Sequence, residues 1–400
     1  MARKTWNTVT LHYALITGGF WMCFCVSVSF AAVYLQGVGF SNSELGIILA
    51  LGNVGGAVLG PALGAWIDRN RKLRHAALIN VLLVAQAVLL VLLFLHPRKD
   101  LVTAACYILY TTAALPVNAL NLDLDVRLER AGAPVNFGPA RSMGSLAFVL
   151  LSLPLGIVTE RLGHLALPCA GMAVVLLQLA GNRLIDRDLR QAEGDGGGYA
   201  AQITEKSASL MAFVRENGRF CLMLFGTIFI YIAHNMDGNY LINEIRFLGG
   251  DTAILGYVSA FTAIAEIPVM LYASRLPKKW ETVHYIRLSF VFFVIRHLAY
   301  ALAPTLAFFF AARILQGPSY ALYTVLIVGY AGSRVAAKDS AKAQSLAFSM
   351  TTVGSVLASL IGGVMMDTLG VRPTMLAGAA ICLLGAVIAI AGTVDGKKKA

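Results

Sequence analysis

Long apolar stretches, interrupted at short intervals by charged or Gly-rich turns, run through the whole chain. Residues 76–95 pass without a single charge. A helix of about 20 residues, rising 1.5 Å per residue, crosses the ~30 Å hydrocarbon core of a bilayer. Inside that layer only helices and closed barrels satisfy their own backbone. Barrel strands alternate apolar and polar positions, whereas these runs are apolar throughout, so they predict helices. Spans are expected near 10–35, 44–67, 76–95, 101–122, 142–159 and 165–182. A second set is expected near 220–243, 253–274, 283–303, 305–332, 342–366 and 373–394. The chain thus reads as an all-α membrane protein with twelve transmembrane helices. It divides into an N-terminal six-helix bundle (1–182), a polar linker (183–219) and a C-terminal six-helix bundle (220–400). The linker holds Ala192-Glu-Gly-Asp-Gly-Gly-Gly198 and, over 208–214, a stretch fit for a short surface helix.

Composition agrees: 58% of residues are hydrophobic and 13% charged, against about 25% charged in soluble domains. The net charge of +11 would suggest an acidic partner were it not so unevenly placed. An even number of spans puts both termini on one side. Of the 32 Lys and Arg, 24 fall on that side and five on the other, while Arg287, Arg296 and Arg313 fall inside spans. Such a bias marks the cytoplasmic face. We therefore expect an integral protein of the plasma (cytoplasmic, or cell inner) membrane with both termini in the cytoplasm, and no nucleic-acid partner. The six cysteines lie in or beside spans without metal-site spacing, where the residue behaves as a small hydrophobe. Neither a disulfide framework nor a metal is expected. The first apolar run is long enough to remain as a helix rather than a cleaved signal.

A repeat is visible at helix ends. Gly64-Ala-Trp-Ile-Asp68, Gly156-Ile-Val-Thr-Glu160 and Gly363-Val-Met-Met-Asp367 share a Gly-x-x-x-acid pattern at the second, fifth and eleventh spans. A three-helix unit used four times, with successive copies inverted, implies pseudo-symmetric halves around a midplane site. Gly52, Gly56, Gly60 and Gly64 recur every fourth residue, as do Gly354, Ala358 and Gly362. Such faces let helices approach closely, for sliding or for static packing.

The run Gly64-Ala-Trp-Ile-Asp68-Arg69-Asn-Arg71-Lys72 resembles the loop signature between helices 2 and 3 of the major facilitator superfamily, departing at Asn70-Arg71, where Gly is usual. The resemblance implies a gating role for Gly64, Asp68, Arg69 and Lys72, with Asp367 at the related position of the second half. A carboxylate there would latch a helix N-terminus, an attraction of about 0.3–1 kcal/mol. Within the superfamily the chain is similar to the lactose-permease-like and the nucleoside and phenylpropionate proton symporters. Asn136-Phe-Gly-Pro-Ala-Arg141-Ser-Met-Gly144 carries the match at the fifth helix, and the arginine there binds sugar in that group, so Arg141 inherits that candidacy. The family's helix 4 carboxylate, eighteen residues earlier, falls on Asp123. Helical spacing instead puts Asp125 on a face with Asn118 and Asn121, and both acids remain candidates. Glu266, in Ala265-Glu-Ile-Pro268, resembles the nucleoside-type relatives, and Arg296 matches the permease arginine of the proton site. The permease's Lys, His and Glu of helix 10 read Arg313, Gln316 and Ser319 here.

Ionisable side chains at bilayer depth cost roughly 2.5–3.5 kcal/mol on insertion scales, and so usually line a cavity. Asp237, Glu266, Arg296 and Arg313 are four such groups, two acids and two bases able to neutralise one another. Tyr231, His234, Asn235 and Gly238 share helical spacing around Asp237, as do Arg313, Gln316, Tyr320 and Thr324. One reading is an ion-pair network that only orients helices. The other is a site where a buried carboxylate takes up a proton near neutral pH, with Glu266 the first candidate and Asp237 the second, and with His234 also titratable. Tyr13, Phe20, Trp21 and Phe24 have helical spacing that suits either core packing or stacking on a sugar or base.

These readings converge on a monomeric secondary active transporter that moves a small polar solute, a sugar or nucleoside by resemblance, together with protons, and needs no cofactor beyond the coupling proton. Drug efflux on the same fold would call for an apolar cavity; a receptor that has kept the fold would bind without flux. No Walker loop, His-x-x-x-His pair or nucleophile elbow is present, so no enzyme is expected.

Overall fold

The computed structural model describes residues 7–70, 74–193, 209–272 and 281–395. All regular structure among them is helical. The order is α1 (Thr8–Phe24), α2 (Ala31–Val38), α3 (Asn42–Arg69), α4 (His75–Leu95), α5 (Leu101–Arg130), α6 (Phe137–Leu162) and α7 (Ala166–Glu193). It continues with α8 (Leu210–Glu216), α9 (Gly218–Phe247), α10 (Thr252–Tyr272), α11 (Thr282–Ala301), α12 (Leu306–Ala312), α13 (Leu322–Arg334), α14 (Ser340–Thr368) and α15 (Val371–Gly392). Among the described residues ten helices are long and apolar enough to cross a membrane.

The other two expected spans are helical but less regular. α11 carries Arg287 and Arg296 within its apolar run. Between α12 and α13 the chain passes through a 3₁₀ turn (Arg313–Leu315) and a π turn (Gly317–Ala321). A second π turn, Cys25–Ser29, divides the span expected at 10–35. Several helices overrun their expected ends, α9 among them, which reaches Phe247 rather than 243. α5 continues to Arg130, and α7 continues to Glu193, so the first part of the expected linker is helix. Apolarity stops at the bilayer surface, while the backbone hydrogen-bond ladder does not. The short helix expected over 208–214 is α8; residues 194–208 of the expected linker lie outside the described residues.

The chain forms two compact units: Met1–Ala201 with Thr252–Ala260, and Gln202–Asp251 with Phe261–Ala400. In the first, α1 packs on α6 and α7, α5 on α3 and α4, and α4 on α7. In the second, α9 packs on α14 and α15, and α11 on α13 and α15. Buried cores coexist with exposed apolar outer faces, such as Val81, Val84, Val88 and Leu95 along α4, as expected where lipid is the solvent.

Small residues set the helix spacing. A Cβ on Gly56 would lie 2.7 Å from the Leu115 Cβ of α5, and Gly52 abuts Thr111. Gly60 and Gly64 in the same stripe face open space. The α3 stripe is thus static packing in its first half only. In the second unit a Cβ on Gly226 would lie 2.7 Å from the Gly385 carbonyl oxygen, and one on Gly385 2.8 Å from that of Gly226. This main-chain contact holds α9 against α15 and cannot yield by a rotamer change. We expect Gly226→Leu to cost about 1–3 kcal/mol through overpacking, read as a lowered thermal midpoint of the purified protein; an unchanged midpoint would mean the two helices are not held this closely.

Candidate functional site

The polar residues of the second unit converge where helices lose their regularity. α9 is kinked at Tyr240 (φ −112°, ψ 16°), between Asp237 and the buried Glu244. The 3₁₀ and π turns between α12 and α13 carry Arg313, Gln316, Ser319 and Tyr320. Irregular turns of this kind inside helices are frequent at functional sites. Gly317 lets α10 approach, since a Cβ there would lie 2.7 Å from the Ala265 carbonyl, and the next residue of α10 is Glu266.

Arg296 is wholly enclosed, with 0% of its surface exposed. It donates to the Gln316 Oε1, to Ser319 Oγ at 3.1 Å and to His234 Nδ1 at 2.9 Å. Its Nη2 also faces His297 Nε2 at 3.4 Å. Gln316 Nε2 in turn donates to Glu266 Oε1 at 2.9 Å. The amide of Gln316 therefore joins a base and an acid that do not touch, and a guanidinium donating to the His234 nitrogen assigns that atom as an acceptor. The His234 ring stacks on Tyr320 at 4.7 Å.

Beside this chain, Arg313 Nη1 donates to Asp237 Oδ2 at 2.7 Å, and its Nη2 lies 3.5 Å from Glu244 Oε2. Its guanidinium is 4.2 Å from the Tyr300 ring centre and 4.4 Å from that of Phe309. A cavity of about 20 Å³ opens here, lined in part by Asp237, Glu244, His297 and Tyr300, enough for one water molecule. Asn235, by contrast, turns its amide onto the Tyr231 carbonyl at 2.7 Å.

In the first unit the Arg141 guanidinium stacks over Trp21 at 4.6 Å. Trp21 Nε1 is buried without a hydrogen-bond partner. Tyr13 donates to the Asn121 carbonyl at 3.0 Å, and Asp125 and Arg141 both lie within electrostatic reach of its hydroxyl. Asn118 is half-buried on the same helix. Asp123 points elsewhere: it pairs with His75 and, at 3.0 Å, with Arg127. The structure thus brings Asp125, rather than Asp123, to the Tyr13 hydroxyl that Arg141 also reaches.

Of the residues given a gating role, Gly64 is half-buried, and Arg69 and Asp367 are exposed near helix ends. The Asp68 side chain and Lys72 lie outside the described residues. Asn70, where the signature departs from Gly, caps α3 by donating from Nδ2 to the Trp66 carbonyl at 2.9 Å. Glu160, the acid of the second repeat, accepts the Thr252 N–H at the start of α10 at 2.9 Å. Glu244 did not emerge from the sequence because the apolar pattern ended α9 at 243, which put this acid in a loop. Its spacing of seven from Asp237 was the available signal.

Comparison with known proteins agrees with the fold. The model of the MFS_1 like family matches residues 20–377. A maltose permease from Geobacillus stearothermophilus is 27% identical over 371 residues, covering 92% of this chain and 88% of that one. Among solved structures, the nucleoside transporter NupG superposes with a TM-score of 0.75 at 16% identity, covering 96% and 99% of the two chains. An auto-inhibited POT family peptide transporter gives 0.73 at 10% identity, covering 98% and 99%.

Proposed function

The chain belongs to the MFS_1 like family of the major facilitator superfamily, an integral membrane transporter and not an enzyme, and we propose that it couples proton movement to uptake of a sugar or nucleoside. The observation that carries this is the chain Glu266–Gln316–Arg296–His234, buried at Gln316 and Arg296 and half-buried at its two ends. Buried ionisable groups are costly in a membrane and are kept where they serve a pathway or relay. Glu266 is the coupling carboxylate, with Arg296 sensing its charge through Gln316, and Asp237 paired with Arg313 beside them. His234, Gln316 and Tyr320 offer hydrogen bonds and a stacking ring to a polar solute, with Asn235 at their edge. Arg141 on Trp21, with Asp125, Asn118 and Asn121, does the same in the first unit. We further read twelve crossings in two six-helix bundles, supported by the recurrence of the first helix packing on the last two in each unit. Both termini are then cytoplasmic, the protein is a plasma-membrane monomer working by alternating access, and the α3 signature serves as its gate.

The test is uptake into liposomes with a pH-sensitive dye inside and maltose or uridine outside. Internal acidification that appears with one solute class alone is expected; silence with both, from folded protein, would remove the proposal. In the same assay Arg141→Ala should weaken apparent affinity about 10–100-fold, since a charge-assisted hydrogen bond is worth about 1.5–3 kcal/mol. Asp125→Asn should weaken it more than Asp123→Asn does, and the reverse order would return Asp123 to the site.

A further inference from the structure

Glu244 is an enclosed acid, 3% exposed, that the Glu266–Arg296 chain leaves unused. It stands seven residues from Asp237 on α9, across the kink at Tyr240, and both carboxyls meet one guanidinium, that of Arg313. Arg296 lies within electrostatic reach of Asp237, whereas the positive charge that Glu244 itself faces is that of Arg313. His297 adds no charge. Its Nδ1 donates to the Phe293 carbonyl at 2.7 Å, which leaves the lone pair of Nε2 toward Arg296. Among the described residues the remaining walls bring no compensating cation. α15 contributes Thr374, Met375 and Gly378, with Arg372 exposed in its first turn; α14 contributes Met366, with Asp367 exposed; and Arg246 on α9 itself is exposed.

Two carboxylates opposite one guanidinium would leave a bare negative charge inside the protein, which low-dielectric surroundings penalise heavily. A proton removes it. Asp237 keeps the charge, because its Oδ2 takes the direct 2.7 Å bond from Arg313. Glu244 Oε2 is buried, beyond hydrogen-bond distance of Arg313, without a hydrogen-bond partner, and on the wall of the cavity.

We propose that Glu244 is a proton-binding site separate from Glu266, in which Asp237 and Glu244 share one negative charge opposite Arg313 and Glu244 carries the proton. The use of that proton in transport rests on the symport reading above; its binding does not. The cavity has room for one water molecule, which would hand the proton to Oε2 and take it back with no other bond made or broken.

The experiment is infrared difference spectroscopy of the purified protein near neutral pH, following the C=O band of a protonated carboxylic acid and its shift in heavy water. Recorded in a Glu266→Gln background, so that Glu266 contributes no signal, the band is expected with Glu244 intact and lost when Glu244→Gln is added. Glutamine mimics the protonated acid, so this variant should keep its thermal midpoint. The band should also be lost in Asp237→Asn, where Glu244 becomes the sole acid facing Arg313 and ionises. A band that survives Glu244→Gln, or a Glu244→Gln protein that fails to fold, would overturn the assignment. A band that survives Asp237→Asn would overturn the shared charge. The band needs no solute, so wild-type protein that accumulates neither maltose nor uridine under a proton gradient would sink the symport reading alone.

Discussion

Arg313→Met should destabilise the protein by about 3–5 kcal/mol, the usual cost of removing one member of a buried ion pair. Arg313 is 2% and Asp237 7% exposed, so water cannot take the guanidinium's place. Methionine fills much of the volume between Tyr300 and Phe309 but supplies neither the charge nor the ring contact, the latter worth about 0.5–2 kcal/mol. The size of the loss follows from the acid left behind, and double variants separate the parts. Arg313→Met combined with Asp237→Asn leaves Glu244 protonated and no ion stranded, and should recover most of the loss. Arg313→Met combined with Glu244→Gln still strands Asp237 and should recover little. Denaturant unfolding in a single detergent measures all four proteins. Equal recovery by both double variants would mean that the two acids bear the charge alike, and a single variant costing under about 1 kcal/mol would mean the pair is solvated.

The apolar pattern was enough for an all-helical membrane fold because lipid imposes one rule on every span. A stretch such as α4, charge-free over its length, leaves the backbone no alternative to a helix. The same pattern misjudged helix ends. At α5 and α7 it stopped where Asp, Arg and Glu begin, although those residues are good enough helix formers to carry the ladder past the bilayer surface. That error hid Glu244: ending α9 at 243 turned a buried acid into a loop residue. Depth also marked Asp237, Glu266, Arg296 and Arg313, since none has a surface role at that position in a span. Their partners were less legible. Spacing alone allowed Asp237 to meet Arg313, but the bridge from Arg296 to Glu266 through Gln316 depends on the 3₁₀ and π turns around Gly317, which no 3.6-residue periodicity anticipates. Asp123 and Asp125 were inseparable in sequence for a related reason. Their directions depend on what α4 presents, and His75 claims the first of them.

Glu266→Gln should abolish uphill accumulation while leaving downhill exchange of solute within a few-fold of wild type. In a carrier moving one proton per solute, each pH unit of gradient supplies about 1.4 kcal/mol, and hence about tenfold accumulation. Glutamine keeps an oxygen able to accept from Gln316 Nε2, so the link to Arg296 survives in outline, but the side chain no longer takes up or releases a proton. The accumulation ratio is therefore expected to fall to about one, whatever gradient is applied. Exchange with both faces at the same pH does not draw on the gradient, and separates loss of coupling from loss of binding. Accumulation at the wild-type ratio would take the coupling role away from Glu266 and pass it to the Asp237–Glu244 pair on Arg313. Loss of exchange together with accumulation would place Glu266 among the groups that hold the solute. The 2.9 Å bond from Gln316 makes the first pattern the expected one, because it ties the protonation state of Glu266 to Arg296 and through it to the His234 ring.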